Sequence, residues 1–253
     1  MHAYREYPPH PALAPYVACL WTSHAVPQGA PLRRRILPDN CIDILWQDQA
    51  DTALGVVAGM MSRPHLFETD RPLLTVAVRF RPGAARAFLD LPLHTLQDDH
   101  PALDALWPRA EAEALAASLW ERERTSAQRL ATLEDALLAR LRTHVPAAGE
   151  RLVRAALARI DAAHGAVRIE ELARSLGVSR QHLALQFRER VGLNAKTYAM
   201  VSRFRHAGAA ARRHEGGRID WAHLAAACGY YDQSHLIHEF RLLSGDTPAD
   251  FAA

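Results

Sequence analysis

Residues 229–240 read Gly-Tyr-Tyr-Asp-Gln-Ser-His-Leu-Ile-His-Glu-Phe, and this stretch decides the fold of the C-terminal part of the chain. Gly229 ends a preceding helix of small residues, because only a residue without a Cβ reaches positive φ at little cost. Asp232 is a favourable N-cap for a new helix. Leu236 and Phe240 recur at helical spacing, which predicts one buried face and a polar opposite face. The pattern therefore predicts a helix-turn-helix unit.

The same pattern occurs about 52 residues earlier in the chain, and an internal repeat of this kind indicates a duplicated structural unit. The matching pairs are Gly177 with Gly229, Ser179 with Asp232, Leu183 with Leu236, Phe187 with Phe240, and Gly192 with Gly245. Two copies in matching phase predict two helix-turn-helix units. In such a unit the second helix enters the major groove of DNA.

With these motifs, residues 150–253 resemble the DNA-binding domain of the AraC/XylS family of bacterial transcription regulators. The matching stretches are Gly177-Val178-Ser179, Asp232-Gln233-Ser234-His235-Leu236 and Thr247-Pro248. The resemblance implies a sequence-specific regulator that binds double-stranded promoter or operator DNA, and that contacts RNA polymerase if it is an activator.

The composition is compatible with a DNA-binding regulator. The chain has 253 residues and is 49% hydrophobic, without an apolar run long enough for a transmembrane helix or a signal peptide. Its three cysteines, Cys19, Cys41 and Cys228, are odd in number and widely spaced, which indicates reduced thiols and a cytoplasmic protein. Residues 150–253 carry 15 Lys and Arg against 11 Asp and Glu, so the half with the repeat is the basic one.

Residues 1–145 predict a β-rich sensor or dimerisation domain, built on a small sheet or barrel with trailing helices. Strands are predicted over residues 16–22, 33–37, 42–46, 54–60 and 73–80, and helices over residues 110–120 and 126–142. Stretches 35–43 and 79–85 resemble an uncharacterised N-terminal domain of some AraC-family regulators. The predicted fold class is α+β: this domain, a short linker over residues 143–149, and an all-helical domain over residues 150–253.

A leucine seam lies on the second predicted helix of the N-terminal half. It consists of Leu130, Leu133, Leu137 and Leu141, which step by three and four residues. The seam favours equally a helix that packs on its own β domain and a helix that forms a homodimer.

The candidate DNA-binding residues lie on the outer faces of the two recognition helices. The first helix offers Ser179, Arg180, Gln181, Ala184, Leu185 and Arg188, and the second offers Gln233, Ser234, His235, His238 and Arg241. Gln bonds adenine and Arg bonds guanine or phosphate, whereas Ala and Leu contact thymine methyls. The alternatives are a solvated polar face for each helix and, for Leu185, packing on protein. A helix over residues 196–214 would span about 28 Å and hold the two units roughly one ~34 Å groove repeat apart.

A ligand site is predicted in the N-terminal half from four side chains on its strands. Trp21 and Trp46 would form apolar walls, and Arg79 or Arg81 would hold an anionic group. Core tryptophans and solvated arginines are the alternative. We therefore expect a regulator that responds to a small-molecule effector, or else a ligand-independent dimeric regulator whose N-terminal domain only oligomerises.

Neither a metal nor another cofactor is expected. His235 and His238 do not converge with further ligands, and the sequence contains no Cys-x-x-Cys motif. Cys41 lies in a turn, where a packed cysteine is favoured over a reactive thiol. No catalytic motif stands out, so we do not expect an enzyme. A DNA-repair sensor fused to a helix-turn-helix domain would need a cysteine cluster, whereas the N-terminal half has only Cys19 and Cys41.

Overall fold

The computed structural model describes residues 2–49, 52–145, 148–214 and 219–252. Within them, the strands are β1 (His2–Tyr7), β2 (Val17–Ala25), β3 (Leu32–Ile36), β4 (Ile42–Gln47), β5 (Val56–Ala58), β6 (His65–Thr69) and β7 (Leu73–Phe80). The α-helices are α1 (Arg109–Leu119), α2 (Ser126–Leu141), α3 (Ala148–Ala162), α4 (Ile169–Ser175), α5 (Arg180–Arg190), α6 (Ala195–Arg212), α7 (Trp221–Ala227), α8 (Gln233–Ser244) and α9 (Pro248–Ala252). This β-rich half followed by a helical half confirms the predicted fold class. In the described part of the chain, no helix is both long and apolar enough to cross a membrane.

The N-terminal half is built on a five-stranded antiparallel sheet with the order β1-β2-β7-β4-β5. Strands β3 and β6 pair with each other in a separate two-stranded ribbon. The central strand β7 sets the register, because Val78 lies opposite both Leu20 of β2 and Ile44 of β4. Side chains alternate across a sheet, so residues that pair in this register share one face.

One face of the sheet is apolar and buried, and the trailing helices cover it. Leu20, Ile44 and Val78 are at most 1% exposed. The leucine seam of α2 lies in the same core, where Leu133 and Leu137 are fully buried. The alternative in which α2 packs on its own β domain is therefore the one observed, and the prediction of a dimer through this seam is wrong. An apolar sheet face must be covered, and the seam provides that cover.

The C-terminal half contains the two predicted helix pairs, α4 with α5 and α7 with α8, joined by the long helix α6. Gly177 and Gly229 take positive φ angles of 69° and 77° at the two turns. The Ser179 hydroxyl accepts from His182 N–H, and a carboxylate oxygen of Asp232 accepts from His235 N–H. The turns and N-caps thus form as the repeat predicts.

The two helix-turn-helix units are packed differently. The first shares the core of the N-terminal half, which runs from the sheet through α3 to α5 and the start of α6. Gly83, after β7, lies close against Leu157 and Val153 of α3, and Gly192 lies against Leu93. The second unit has a core of its own, centred on Val201, Phe204, Leu236, Phe240 and Leu243. The division at residues 145 and 150 stays a prediction, and Pro146 of the predicted linker lies outside the described residues.

Candidate DNA-binding surface and N-terminal pocket

The first recognition helix, α5, presents its predicted face to solvent. Ser179, Arg180, Gln181, Ala184, Leu185 and Arg188 are all exposed. On the opposite side, Leu183 and Phe187 are fully buried. Leu185 is 52% exposed, so about half of its surface is open to an apolar contact.

The second recognition helix, α8, presents a more polar face. Gln233, Ser234, His238 and Arg241 are exposed. His235 differs, because its Nε2 lies 3.0 Å from Oε1 of Glu239 and its Nδ1 accepts from Tyr231 N–H at 3.4 Å. His235 therefore stabilises the helix start and the turn before it, and is the least available of the predicted contact residues.

A buried ion pair fixes α8 on α6. Glu239 lies on the inner side of α8 with its side chain 6% exposed, and Arg203 of α6, 15% exposed, pairs with both of its carboxylate oxygens. The Arg203 guanidinium also stacks over the ring of Tyr230, 4.9 Å from its centroid. The pair therefore links α8 to α6 beside the apolar core of the second unit.

The N-terminal half contains a cavity of about 650 Å³ between the second face of the sheet and the β3–β6 ribbon. From the sheet, Trp21, Leu45 and Thr75 line it, and from the ribbon, Ile36 and Phe67. The sheet residues are those that the register places on the face opposite the apolar core. A largely apolar cavity with a few polar groups is the usual form of a small-molecule site.

The charged side chains at the bottom of this cavity form ion pairs, Arg79 with Asp43 and with Asp39. The Arg79 guanidinium donates to both carboxylate oxygens of Asp43, at 3.0 and 2.9 Å, and lies 3.1 Å from Asp39. Trp21 Nε1 donates to Asp43 at 3.2 Å. Burial raises the pKa of Asp43 against the opposing effect of Arg79. For Arg79, burial lowers the pKa but the two carboxylates raise it by more, so the guanidinium stays charged.

Two of the four predicted ligand residues lie elsewhere. Trp46 lies opposite Val76, one position out of phase with Trp21, which lies opposite Ala77. The two tryptophans therefore lie on opposite faces of the sheet, and Trp46 is fully buried in the core. Arg81 follows the end of β7, where its Nε donates to the Ala14 carbonyl at 2.8 Å, outside the cavity. The predicted pocket with two tryptophan walls is wrong.

The cavity also contains Cys41, whose thiol pKa is raised, first by burial and then by Asp39 and Asp43. A raised pKa keeps the thiol protonated and weakly nucleophilic. Burial likewise raises the pKa of Cys19, to about 11. Among the described residues, no group of three or more His, Cys, Asp and Glu side chains is placed to hold a metal ion.

Comparison with protein families gives two matches along the chain. Residues 172–253 match a model described as a helix-turn-helix domain. Residues 172–253 thus form a helix-turn-helix domain of the AraC type. Residues 5–102 match a domain of unknown function (DUF6597), so both parts of the predicted AraC/XylS resemblance are confirmed. Among curated proteins, no significant match is found.

Solved structures of ToxT from Vibrio cholerae are distantly similar to the chain. A 1.65 Å structure has 11% identity and a TM-score of 0.44, covering 88% of this chain and 97% of ToxT. A structure from strain O395 has 10% identity and a TM-score of 0.45, with 88% and 96% covered. A third, bound to an unsaturated fatty acid, has 10% identity and a TM-score of 0.43, with 88% and 94% covered. At this distance the likeness carries no argument about the ligand of this chain.

The AraC-type domain exposes two further side chains that the sequence pattern did not single out. Tyr231, in the turn before α8, is 92% exposed. Lys196, at the start of α6, is exposed beside the N-terminal end of α5 and lines the same groove as Arg180. Tyr231 directly precedes the N-cap Asp232, and Lys196 follows the N-cap Asn194 by two residues; these positions are the signal that would have found them. Both are placed to contact the phosphate backbone if the two recognition helices enter DNA grooves.

Proposed function

We propose that the chain is a sequence-specific, non-enzymatic transcription regulator. It binds double-stranded promoter or operator DNA through α5 and α8, and it responds to a small molecule in the N-terminal cavity. It acts in the bacterial cytoplasm, as a homodimer, and contacts RNA polymerase if it is an activator. The observation that carries the DNA-binding part is the repeat itself: two capped helices with one buried and one exposed face, on a common long helix.

The two recognition helices have different roles in this proposal. On α8, the exposed side chains of Gln233, Ser234, His238 and Arg241 are all able to hydrogen-bond with base edges or phosphates. On α5, Ala184 and Leu185 occupy the centre of the exposed face, flanked by Ser179, Arg180, Gln181 and Arg188. We therefore assign most hydrogen-bonded base discrimination to α8, and affinity with a thymine-methyl contact to α5.

The spacing of the two units supports simultaneous binding. The long helix α6 has 18 residues, which at 1.5 Å per residue gives a length of about 27 Å. Recognition helices at the two ends of such a helix match successive major grooves on one face of DNA, about 34 Å apart. The predicted operator thus has two sub-sites one helical turn apart.

Selection of duplexes from a random library with the full chain tests the DNA-binding part. We expect enriched sequences with two sub-sites, bound with an affinity that falls steeply with salt because phosphate contacts release counterions. Enrichment of no sequence, at any salt concentration, would contradict the proposal. Arg122→Ala is a suitable control, since this exposed arginine precedes α2 and lies on neither recognition helix.

The effector part depends on the cavity. Its apolar body is built from Trp21, Leu45 and Phe67, and its one floor guanidinium, Arg79, is neutralised by two carboxylates. Arg34 of the ribbon also lines the cavity. We therefore propose a ligand with an apolar or aromatic body and hydrogen-bonding groups, whose anionic group, where it has one, would meet Arg34 and not Arg79. The alternative is an N-terminal half that only oligomerises.

Thermal unfolding in the presence of a compound library separates these two alternatives. A ligand of the native cavity raises the melting temperature in a concentration-dependent way. Trp21→Ala should abolish that shift, and Trp120→Ala, outside the cavity, should not. If no compound in a broad library stabilises the protein, the oligomerisation-only alternative is favoured, and sedimentation of the full chain then tests the dimer.

A further inference from the structure

Strand β3 is a wall of the cavity on one side and contacts the second helix-turn-helix unit on the other. Arg34 and Ile36 line the cavity. The residue between them, Arg35, points the other way: its Nη1 donates to the Ser244 carbonyl at 2.7 Å and to Asp246 at 2.6 Å, at the C-terminal end of α8. This is the two-residue alternation of a strand.

The loop that follows β3 also faces the cavity on one side and the C-terminal helices on the other. The Asp39 carboxylate reaches the cavity floor, 3.1 Å from Arg79, whereas its backbone carbonyl accepts from Arg205 of α6 at 2.8 Å. The next residue, Asn40, donates from Nδ2 to the Tyr198 carbonyl of α6 at 3.0 Å. Asn40 is buried and has a φ of 65°, so the turn that creates this arrangement is tightly defined.

Among the described residues, α7 and α8 of the second unit contribute no buried side chain to the core of the N-terminal half. The first unit shares the N-terminal core, so α5 moves with the sheet. The second unit has a separate core, to which Leu37, from the end of the same segment, adds a partly buried side chain. The Arg35–Asp246 pair is exposed, at 46% and 39% of the two side chains, and exposed pairs are only weakly stabilising. Contacts of this kind break and re-form more easily than a shared core.

We propose that residues 34–41 form a shared wall that couples occupancy of the cavity to the placement of α8 relative to α5. The coupling presupposes the effector site proposed above. A ligand that displaces Arg34 or Ile36 displaces Arg35 as well, because the three are consecutive along one strand. The contacts with Ser244 and Asp246 then change, and the second recognition helix shifts while the first stays fixed to the sheet. DNA binding that needs both helices in register responds to that shift.

A ligand-independent test uses substitutions in place of an effector. Ser23→Phe fills the cavity from β2, where Ser23 lines it, and Ser23→Ala is the matched control that adds no volume. Arg35→Ala removes the contact with α8. Its matched control is Arg33→Ala, since Arg33 is also exposed on β3 and ion-paired, but with Glu68 of the ribbon itself.

Hydrogen exchange of the full chain measures the coupling. We expect Ser23→Phe to change exchange in α8 and in the middle of α6, and to leave α5 unchanged. In an Arg35→Ala background the effect of Ser23→Phe on α8 should disappear, whereas in an Arg33→Ala background it should persist. Affinity for a duplex selected by the wild-type chain should change by about fivefold or more with Ser23→Phe, the usual lower range of allosteric coupling.

Two outcomes would overturn the coupling: a folded Ser23→Phe variant with unchanged exchange in α8, or an effect of equal size with and without Arg35. If Ser23→Phe does not fold, Ala58→Phe fills the same cavity from β5 and decides the question in the same way. Failure of the proposed function is seen separately. If no duplex is selected, the DNA-binding proposal fails, but the exchange comparison still tests the shared wall.

Discussion

Breaking the ion pair between α6 and α8 should destabilise the second helix-turn-helix unit strongly. Arg203→Met nearly keeps the side-chain volume but removes the guanidinium partner of Glu239, which is 6% exposed and retains His235 Nε2 at 3.0 Å. Removing one member of a buried pair costs about 3–5 kcal/mol, because the remaining charge stays desolvated. That is a large fraction of the about 5–15 kcal/mol that stabilises a typical domain. Since both side chains are nearly buried, solvent screening reduces this figure little.

The matched double variant Arg203→Met with Glu239→Leu separates lost charge from lost packing. Replacing both members of a buried pair by apolar side chains is often close to neutral, so the double variant should recover most of the stability. Urea unfolding followed by circular dichroism gives the two free energies, and hydrogen exchange assigns the loss to α7 and α8. A loss below about 1 kcal/mol for Arg203→Met would refute the reasoning, because that is the contribution of a solvent-exposed ion pair and not of a buried one. So would a double variant as unstable as the single one.

The remaining predictions concern DNA contact, the N-terminal core and a helix cap. Gln233→Ala should weaken binding to the selected duplex by about 1–3 kcal/mol and relax the preference at one base pair. Arg180→Ala should weaken binding to all duplexes and flatten the salt dependence of binding. Affinities for a panel of duplexes with single-base changes measure both effects. Leu137→Ala should lower the free energy of unfolding by about 2–5 kcal/mol, measured by thermal unfolding, without changing the sedimentation coefficient. A variant that dissociates without losing stability would show that the leucine seam is an interface between copies. Asp232→Ala should lower the free energy of unfolding by about 1 kcal/mol and weaken DNA binding through α8, whereas Asp232→Asn should retain the stability and the affinity. An equal loss with Asn would exclude capping as the cause.

The C-terminal half follows closely from the sequence because its signals are local. Gly177 and Gly229 at the turns, and Ser179 and Asp232 as N-caps, act within a few residues of their own positions. Helix α8 begins at Gln233, directly after the predicted N-cap Asp232, and ends at Ser244. The exposed faces of α5 and α8 follow from helical periodicity alone.

The pocket did not follow from the sequence, because it depends on how strands pair. Trp21 and Trp46 each lie on a predicted strand, but which face each occupies is fixed by their alignment with Ala77 and Val76 of β7. A shift of one residue exchanges the faces, and no local signal sets it. Strands β1 and β6 were missed for a related reason. Their sequences, His-Ala-Tyr-Arg-Glu-Tyr and His-Leu-Phe-Glu-Thr, are mostly polar and exposed, so they lack the apolar alternation that predicts a strand.

The leucine seam shows the same limit for helices. Its spacing predicts an apolar stripe, and that stripe is present on α2. Whether the stripe meets a second copy or the sheet of its own chain depends on which apolar surface is left uncovered. The sheet face of Leu20 and Ile44 needs a cover, and α2 is the cover that lies next in the chain.

The unequal packing of the two helix-turn-helix units determines which pieces of the chain remain folded after cleavage. A fragment that begins near residue 150 would expose Val153, Leu157 and Leu193 to water, since these side chains are buried in a core that the N-terminal half completes. Such a fragment should aggregate or bind hydrophobic dyes. A fragment from residue 195 onward retains every buried side chain of its own core and loses the cover of Ala195, Tyr198 and Ala199 alone, so it should aggregate less than the longer fragment. A protease applied to the native protein should therefore release the second unit before the first.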